Sequence, residues 1–488
     1  MYTRTRITWR NTVRKFKSQP LKYFEPETID DVVSIIREAE KKNLRVRAVG
    51  SGHSFNDVAI TDGYLINPWC MNHIQLYDKS LVKNDWSGEH LVDMEAGIVL
   101  RDMNRWLDKN DLAVVNMGAI DHQTISGAIS TGTHGSGISL VAVSGMVRSL
   151  MLATKGGEVL RIEPTDGITD PAKYADKKIK LVQDDDMFYS VVVSLGCMGI
   201  ICSFVLRVMP MYWLEESKTL TTWSKVKPQL ADRSIFTGTR GLMVQVNPYE
   251  INGDHSCNVV RIRKAPRPVR RSFGDRTRNI MSTLLGNFKL MPYITLFLIQ
   301  NFPKRIPKIV ESAIKSLKDK KYINKAQKVL FQGSVPVKEK AYDCEGCFNI
   351  DNLDNTFILA LESLFELANK FSKEGNLYLS SPVSLRFVDK SKAYLTPESG
   401  RTVCYIDTPF VAGTEGADEM LNYLQDNFLA HGGMLHWGKV NNRLDGKSEL
   451  IRKWYTKFPI WQKYFLQFNA NGTFSNNFSE RMRFGEKA

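Results

Sequence analysis

The stretch Arg45-Val46-Arg47-Ala48-Val49-Gly50-Ser51-Gly52-His53-Ser54 constrains this chain more than any other. Val46, Ala48 and Val49 suit a short buried strand, and Gly50 and Gly52 allow the positive φ and close backbone approach of a tight turn. Such a turn aims several backbone N–H groups at one point, which suits a phosphate. His53 lies inside it. Turns of this kind also merely connect elements, and a lone turn histidine commonly hydrogen-bonds its own loop, so the reading depends on the rest of the chain.

Two further segments supply that context. Residues 118–137 carry almost no bulky or charged side chains, so the backbone itself must be the contacting surface. In the third, Gly196 and Gly199 precede a β-branched run that ends at Pro210 and reads as a turn entering a buried strand. The candidate cofactor contacts are Gly50, Ser51, Gly52, His53 and Ser54; then Gly118, Thr124, Ser126, Gly127, Gly132, Thr133, His134, Gly135 and Gly137; then Gly196, Gly199 and Ile200.

With 488 residues, 43% hydrophobic and 24% charged, the chain can bury more than one core and is expected to divide into domains. No run approaches the roughly 20 apolar residues of a spanning helix, and the N-terminus lacks a signal-peptide apolar core. An intracellular, cytoplasmic or peripherally membrane-associated protein is expected. The seven cysteines are scattered, unlike a disulfide framework, and read mostly as buried thiols. Cys344 and Cys347 form a close pair that reads as a loop, and with no second ligand pair at metal spacing no metal site is expected.

The net charge of +14 invites an anionic partner. Residues 261–278 hold seven arginines and one lysine against one acid, an apolar stretch from Leu284 to Ile299 follows, and lysines recur from Lys304 to Lys328. Two readings fit: core helices behind a solvated loop, or contact of residues 261–330 with an anionic bilayer. No nucleic-acid module accompanies the charge, and no nucleic acid is expected as a partner.

Periodicity predicts the elements. Thr28 and Asp31 form a capping pair before a helix whose apolar face is Val32, Val33, Ile35, Ile36 and Ala39, and Arg45 to Val49 returns as a strand. Residues 91–98 read as a strand and 100–110 as an amphipathic helix, with further strands near 147–153 and 158–162. After Pro210 the pattern shifts to longer strands, such as 241–246 and 258–262, with helices near 276–300 and 354–371. A domain boundary near 210 follows.

In this order the three glycine segments resemble the flavin-binding half of the vanillyl-alcohol oxidase superfamily, whose FAD-binding domain is of the PCMH type. The likeness is closer to the aldonolactone and alditol oxidases. It begins at Trp9-Arg10-Asn11, runs through Pro26-Glu27-Thr28 and Thr131-Gly132-Thr133-His134-Gly135-Ser136-Gly137, and ends with His436-Trp437-Gly438-Lys439 and Asn471-Gly472-Thr473-Phe474-Ser475-Asn476. It implies an α+β fold: an FAD-binding domain over 9–210, a substrate-binding cap on an antiparallel sheet with helices over 211–430, and a segment over 431–488 returning to the flavin domain.

The resemblance also implies a chemistry. FAD, bonded through His53 to the flavin 8α-methyl carbon, would take hydride at N5 from a CH–OH group of a sugar lactone or polyol. Electrons would then pass to O2, giving hydrogen peroxide, or to another acceptor. The alternatives are a dehydrogenase serving a cytochrome or quinone, or a membrane- or nucleic-acid-associated protein that keeps the flavin fold as a scaffold. Arg386 matches the family arginine that holds substrate oxygen or stabilises charge on reduced flavin, and Lys439 matches the lysine that hydrogen-bonds the reacting hydroxyl. His436 binds a substrate hydroxyl or supports Lys439, and His134 is structural or close to the ring. Ser384 stands where relatives carry a glutamate that positions the substrate.

Overall fold

The computed structural model describes residues 1–268, 291–316, 321–332 and 341–486, with the backbone alone for 291–295. Near the N-terminus, Thr28 Oγ1 accepts from the Asp31 N–H while the Asp31 carboxyl accepts from the Thr28 N–H, closing a capping box on helix Ile29–Lys41. The helix buries Val32, Ile35, Ile36 and Ala39 on one face, as the spacing predicts. That face packs with Phe24, Val46, Tyr64 and Ile66 of a four-stranded sheet and with Ala153, Ile200 and Cys202 of a second sheet. One small core therefore joins two sheets. Strands Lys22–Glu25 and Val46–Ala48 both lie parallel to Tyr64–Ile66, the central strand of the three.

The second sheet has seven strands, with Ile200–Pro210 lying between Val147–Ala153 and His90–Glu95 in antiparallel register. Alternation along Ile200–Pro210 corrects one expectation. Ile200 turns into the core beneath the helix, whereas Ile201 lines the cleft described below, because successive strand residues face opposite sides.

At Pro210 the chain leaves this sheet, and at Trp213 it enters a third, of eight antiparallel strands. Strand Gly241–Val246 has the predicted bounds, and helix Thr356–Lys370 falls within the predicted window. The segment holding Cys344 and Cys347 is not a loop: Ala341–Asn349 is a strand near one edge of this sheet. Its tyrosine, cysteine and phenylalanine positions satisfy a pleated, buried surface, which the acids among them obscured. Cys344, Gly346 and Phe348 share one face, and Asp343, Glu345 and Cys347 the other. Gly346 lets helix Ala417–Ala430 approach closely, since a Cβ there would stand 2.5 Å from the Phe428 ring. Six of the seven cysteines are buried and Cys70 is exposed.

The C-terminal segment is tied to the first sheet. Val46 N–H donates to Thr473 O at 2.6 Å, and Asn476 Nδ2 donates to Val58 O and Ile60 O at 3.1 and 3.0 Å. Of the basic and apolar stretch, residues 269–290 lie outside the described residues, including the predicted helix start near 276. Helix Met291–Asn301 buries Ile299, while Phe297 and Phe302 are exposed beside Lys304 and Arg305. Among the described residues no helix is long and apolar enough to cross a membrane.

Candidate active site

Gly50, Ser51, Gly52, His53 and Ser54 meet Thr124, Ser126 and Gly127, and Gly196 and Gly199, around one cleft of about 930 Å3, part of it open to solvent. Its shape depends on missing side chains. A Cβ on Gly50 would stand 2.0 Å from Thr124 Oγ1, and Gly52 and Gly196 hold φ of +74° and +69°. The lining contains no carboxyl group, and its only guanidinium is that of Arg47. A glycine-walled cleft with no acids in its lining fits a dianionic cofactor such as FAD, which the backbone can approach closely and no lining acid repels.

His53 borders this cleft, its ring stacked near that of His122 at 6.5 Å between centroids. Burial, with a smaller contribution from His122, lowers its pKa to about 4. The imidazole is therefore neutral near pH 7, with a nitrogen lone pair available for bonding to carbon.

Arg47, on the strand before the turn, was not singled out in the sequence. Its guanidinium is fully buried and donates to Gly196 O at 2.7 Å, Leu195 O at 2.6 Å and Phe474 O at 2.9 Å, and also to Val58 O. One side chain thus fastens the third glycine segment and the C-terminal segment to the strand that launches the His53 turn. An arginine within an apolar strand pattern was the available signal.

The His436-Trp437-Gly438-Lys439 motif is bonded to the residues just after that turn. Phe55 N–H donates to Gly438 O at 2.9 Å, and Asn56 Nδ2 donates to Trp437 O and Lys439 O at 2.6 and 2.8 Å. The Lys439 ammonium lies 5.3 Å from the centre of the Phe55 ring. It pairs with Asp343 Oδ2 at 2.6 Å and approaches Asp407 Oδ1 at 3.8 Å. Burial alone would lower the lysine pKa, but Asp343, then Asp407 and Glu345, overcome it and raise it above the ordinary value. Arg386 Nη2 lies 4.0 Å from Asp407 Oδ2, and Arg386 also lines a cavity of about 370 Å3 with Asn116, Gly135 and Met243.

The second half of the 118–137 segment docks on the eight-stranded sheet rather than lining the large cleft. Gly137 bridges Val388, and Ser136 Oγ bonds Leu242 O and the Phe387 N–H. His134 stacks on Tyr405 at 3.7 Å and faces Glu345 Oε1 at 3.4 Å, both side chains buried. Burial would raise the Glu345 carboxyl, but His134, Lys439 and His436 hold it below its ordinary range. His436 Nε2 meets Gly132 O at 3.1 Å, and Nδ1 accepts the Gly438 N–H at 3.0 Å. That fixes the Nε2–H tautomer and leaves no lone pair for a ligand. The cluster His134, Glu345 and His436 places its ligand atoms within 4.8 Å, but His436 has already committed both nitrogens to backbone. Gly118 and Thr133 pack against each other, a Cβ at 118 standing 2.9 Å from Thr133 Cγ2.

The expected residues thus separate into a glycine-walled cleft at His53 and a charged face at Arg386, Ser384, His436 and Lys439, joined through residues 53–56 and 132–137. Asp343, Glu345, Asp407 and Tyr405 complete the charged face and were missed in the sequence.

Together the fold and cleft define an FAD-linked oxidoreductase with a PCMH-type fold. Residues 20–163 match the family model described as an FAD binding domain, and residues 205–482 match that described as D-arabinono-1,4-lactone oxidase. The chain belongs to the D-arabinono-1,4-lactone oxidase family. It is similar to L-gulonolactone oxidase of Bos taurus, 25% identical with 98% of each chain covered. It is also similar to L-gulono-1,4-lactone dehydrogenase of Mycobacterium tuberculosis, 24% identical over 97% of this chain and 98% of that one. D-arabinono-1,4-lactone oxidase of Yarrowia lipolytica is 31% identical over 44% of this chain and 36% of its own length. Among solved structures, cholesterol oxidase from B. sterolicum superposes with a TM-score of 0.74 over 99% of this chain and 97% of that one at 14% identity, a likeness of fold alone.

Proposed function

We propose that this enzyme oxidises a CH–OH group of a sugar-derived lactone, passes the electrons to O2 to give hydrogen peroxide, and carries its FAD covalently on His53. The observation that carries the reading is the hydrogen-bonded join between the His53 turn and the Lys439 motif. In this reading the join brings the Lys439 ammonium, paired with Asp343, to the cofactor's substrate side. When bound, FAD supplies the hydride acceptor.

The protein's own groups do the rest. Lys439, held charged by Asp343 and Asp407, donates to the oxygen of the reacting hydroxyl and favours the build-up of negative charge there. Arg386, on a rigid strand, fixes a second substrate oxygen. His436 does not touch substrate in this scheme; it clamps Gly132 to Gly438 and so holds Lys439 in place. In this reading residues 9–210 and 431–488 bind FAD and 211–430 form the cap. The names of the similar lactone oxidases support the substrate class.

Oxygen uptake with D-arabinono-1,4-lactone and with L-gulono-1,4-lactone, peroxide assayed alongside, tests the activity. Dye reduction without peroxide would instead favour a dehydrogenase, as in the similar mycobacterial protein. Acid precipitation tests the linkage: flavin remaining in the pellet supports it, and flavin in the supernatant removes it.

A further inference from the structure

Four neighbouring strands of the eight-stranded sheet are registered so that Gln245, Ser384, Asp407 and Glu345 form one row on a single face. Residues directly opposed on antiparallel strands have Cβ atoms roughly 5 Å apart. Ser384 is the shortest side chain in this row, with Arg386 two residues along its own strand and Asp407 opposite it on the next.

Several polar side-chain atoms on this face lack a hydrogen-bond partner. Asp407 is only 8% exposed, yet its Oδ1 has no hydrogen-bond partner. Asp343 Oδ1 and Arg386 Nε are likewise buried without one. Buried polar atoms are costly to leave unmet, so two carboxylate oxygens and a guanidinium N–H on one face of the sheet call for a ligand rich in hydroxyl groups. The two cations flanking Asp407, Lys439 at 3.8 Å and Arg386 at 4.0 Å, offset the charge of the acids without filling their acceptor capacity.

We infer that Asp407 is the specificity-determining acceptor of substrate hydroxyls in this enzyme, reaching past Ser384 and aided by Asp343. The site therefore selects a lactone with adjacent hydroxyl groups. This rests on the lactone reading above. A ligand with one isolated hydroxyl, such as a sterol, would leave the same acceptors unfilled.

The test is anaerobic titration of the FAD-loaded protein with D-arabinono-1,4-lactone and with its deoxy analogue lacking the hydroxyl next to the oxidised carbon. The readout is flavin bleaching, giving a half-saturating concentration and a limiting rate for each. Wild type is expected to bind the parent about tenfold or more tighter than the analogue. D407N is expected to weaken the parent by about tenfold while barely changing the analogue, so discrimination collapses. The double variant S384E/D407N moves the carboxyl across the strand pair and is expected to recover most of the loss.

Equal half-saturation of D407N and wild type with the parent overturns the inference, as does an equal loss for parent and analogue. If D407N fails to retain flavin, D407E, which displaces the carboxyl by one methylene, replaces it with the same criteria. Wild type that no sugar lactone bleaches would instead overturn the underlying lactone reading.

Discussion

Lys439 Nζ lies 2.6 Å from Asp343 Oδ2 across 96 residues of sequence, and this pair ties the C-terminal motif to the edge of the eight-stranded sheet. The lysine side chain keeps 23% of its surface accessible while its ammonium is anchored to Asp343, and in the proposed scheme the same ammonium meets the substrate. Anchoring by a carboxyl also keeps the charge in place, because deprotonating the lysine would leave Asp343 buried and unpaired.

Replacing Lys439 by Met is therefore expected to slow flavin reduction by about a hundredfold or more while leaving reoxidation by O2 nearly unchanged. It also strands two acids, so the melting temperature falls. The double variant K439M/D343N should regain stability without regaining rate. Stopped-flow reduction and thermal unfolding check the two halves separately, and recovery of rate in the double variant would remove the lysine's chemical role.

His53→Ala is expected to abolish acid-stable flavin and leave FAD bound only noncovalently, because the glycine-walled cleft remains. Absorbance of the acid pellet and of the supernatant checks this. Acid-stable flavin in the variant would show that another group is the tether.

His436 is buried with both nitrogens bonded to backbone, and burial, opposed by Glu345, lowers its pKa to about 4 from an ordinary 6.5. The unfolded chain then binds more protons than the folded one between those values, so stability falls as pH drops from about 6.5 to 4 and levels off below. The full effect is on the order of 3 kcal/mol. Melting temperatures across that window should decline for wild type and decline less for His436→Asn, which retains an acceptor for the Gly438 N–H. Parallel slopes would contradict this origin.

Gly50→Ala places a methyl 2.0 Å from Thr124 Oγ1. Overpacking of this kind costs about 1–3 kcal/mol, and here it falls on the cleft wall, so loss of flavin is expected before loss of fold. Thr124→Ala in the same chain removes the colliding oxygen and should restore part of the flavin content, measured as the ratio of visible to ultraviolet absorbance.

What was legible in the sequence is local. The Thr28–Asp31 cap, the 241–246 strand and the glycine turn at His53 each depend on neighbours a few residues away, and each formed where residue type and spacing required. Ile200 and Ile201 show the limit: the strand was evident, but which of the two faces the cleft depends on strand pairing. The charged face was harder still. Asp343, Glu345 and Asp407 come together only through register between strands about 60 residues apart in sequence, and nothing within either strand specifies that register. The Cys344–Cys347 pair read as a loop and concealed the strand that carries Asp343 and Glu345. Arg47 was hidden for a similar reason, since its carbonyl partners come from two distant segments as well as from Val58, 11 residues on.

The most direct test of the central claim is anaerobic mixing of the purified yellow protein with D-arabinono-1,4-lactone or L-gulono-1,4-lactone while following flavin absorbance near 450 nm. An FAD-linked lactone oxidase is expected to bleach fully, with a rate that saturates in lactone, and to regain its colour with release of peroxide when O2 is admitted. Flavin that stays oxidised with every sugar lactone, yet is reduced by dithionite, would contradict the account.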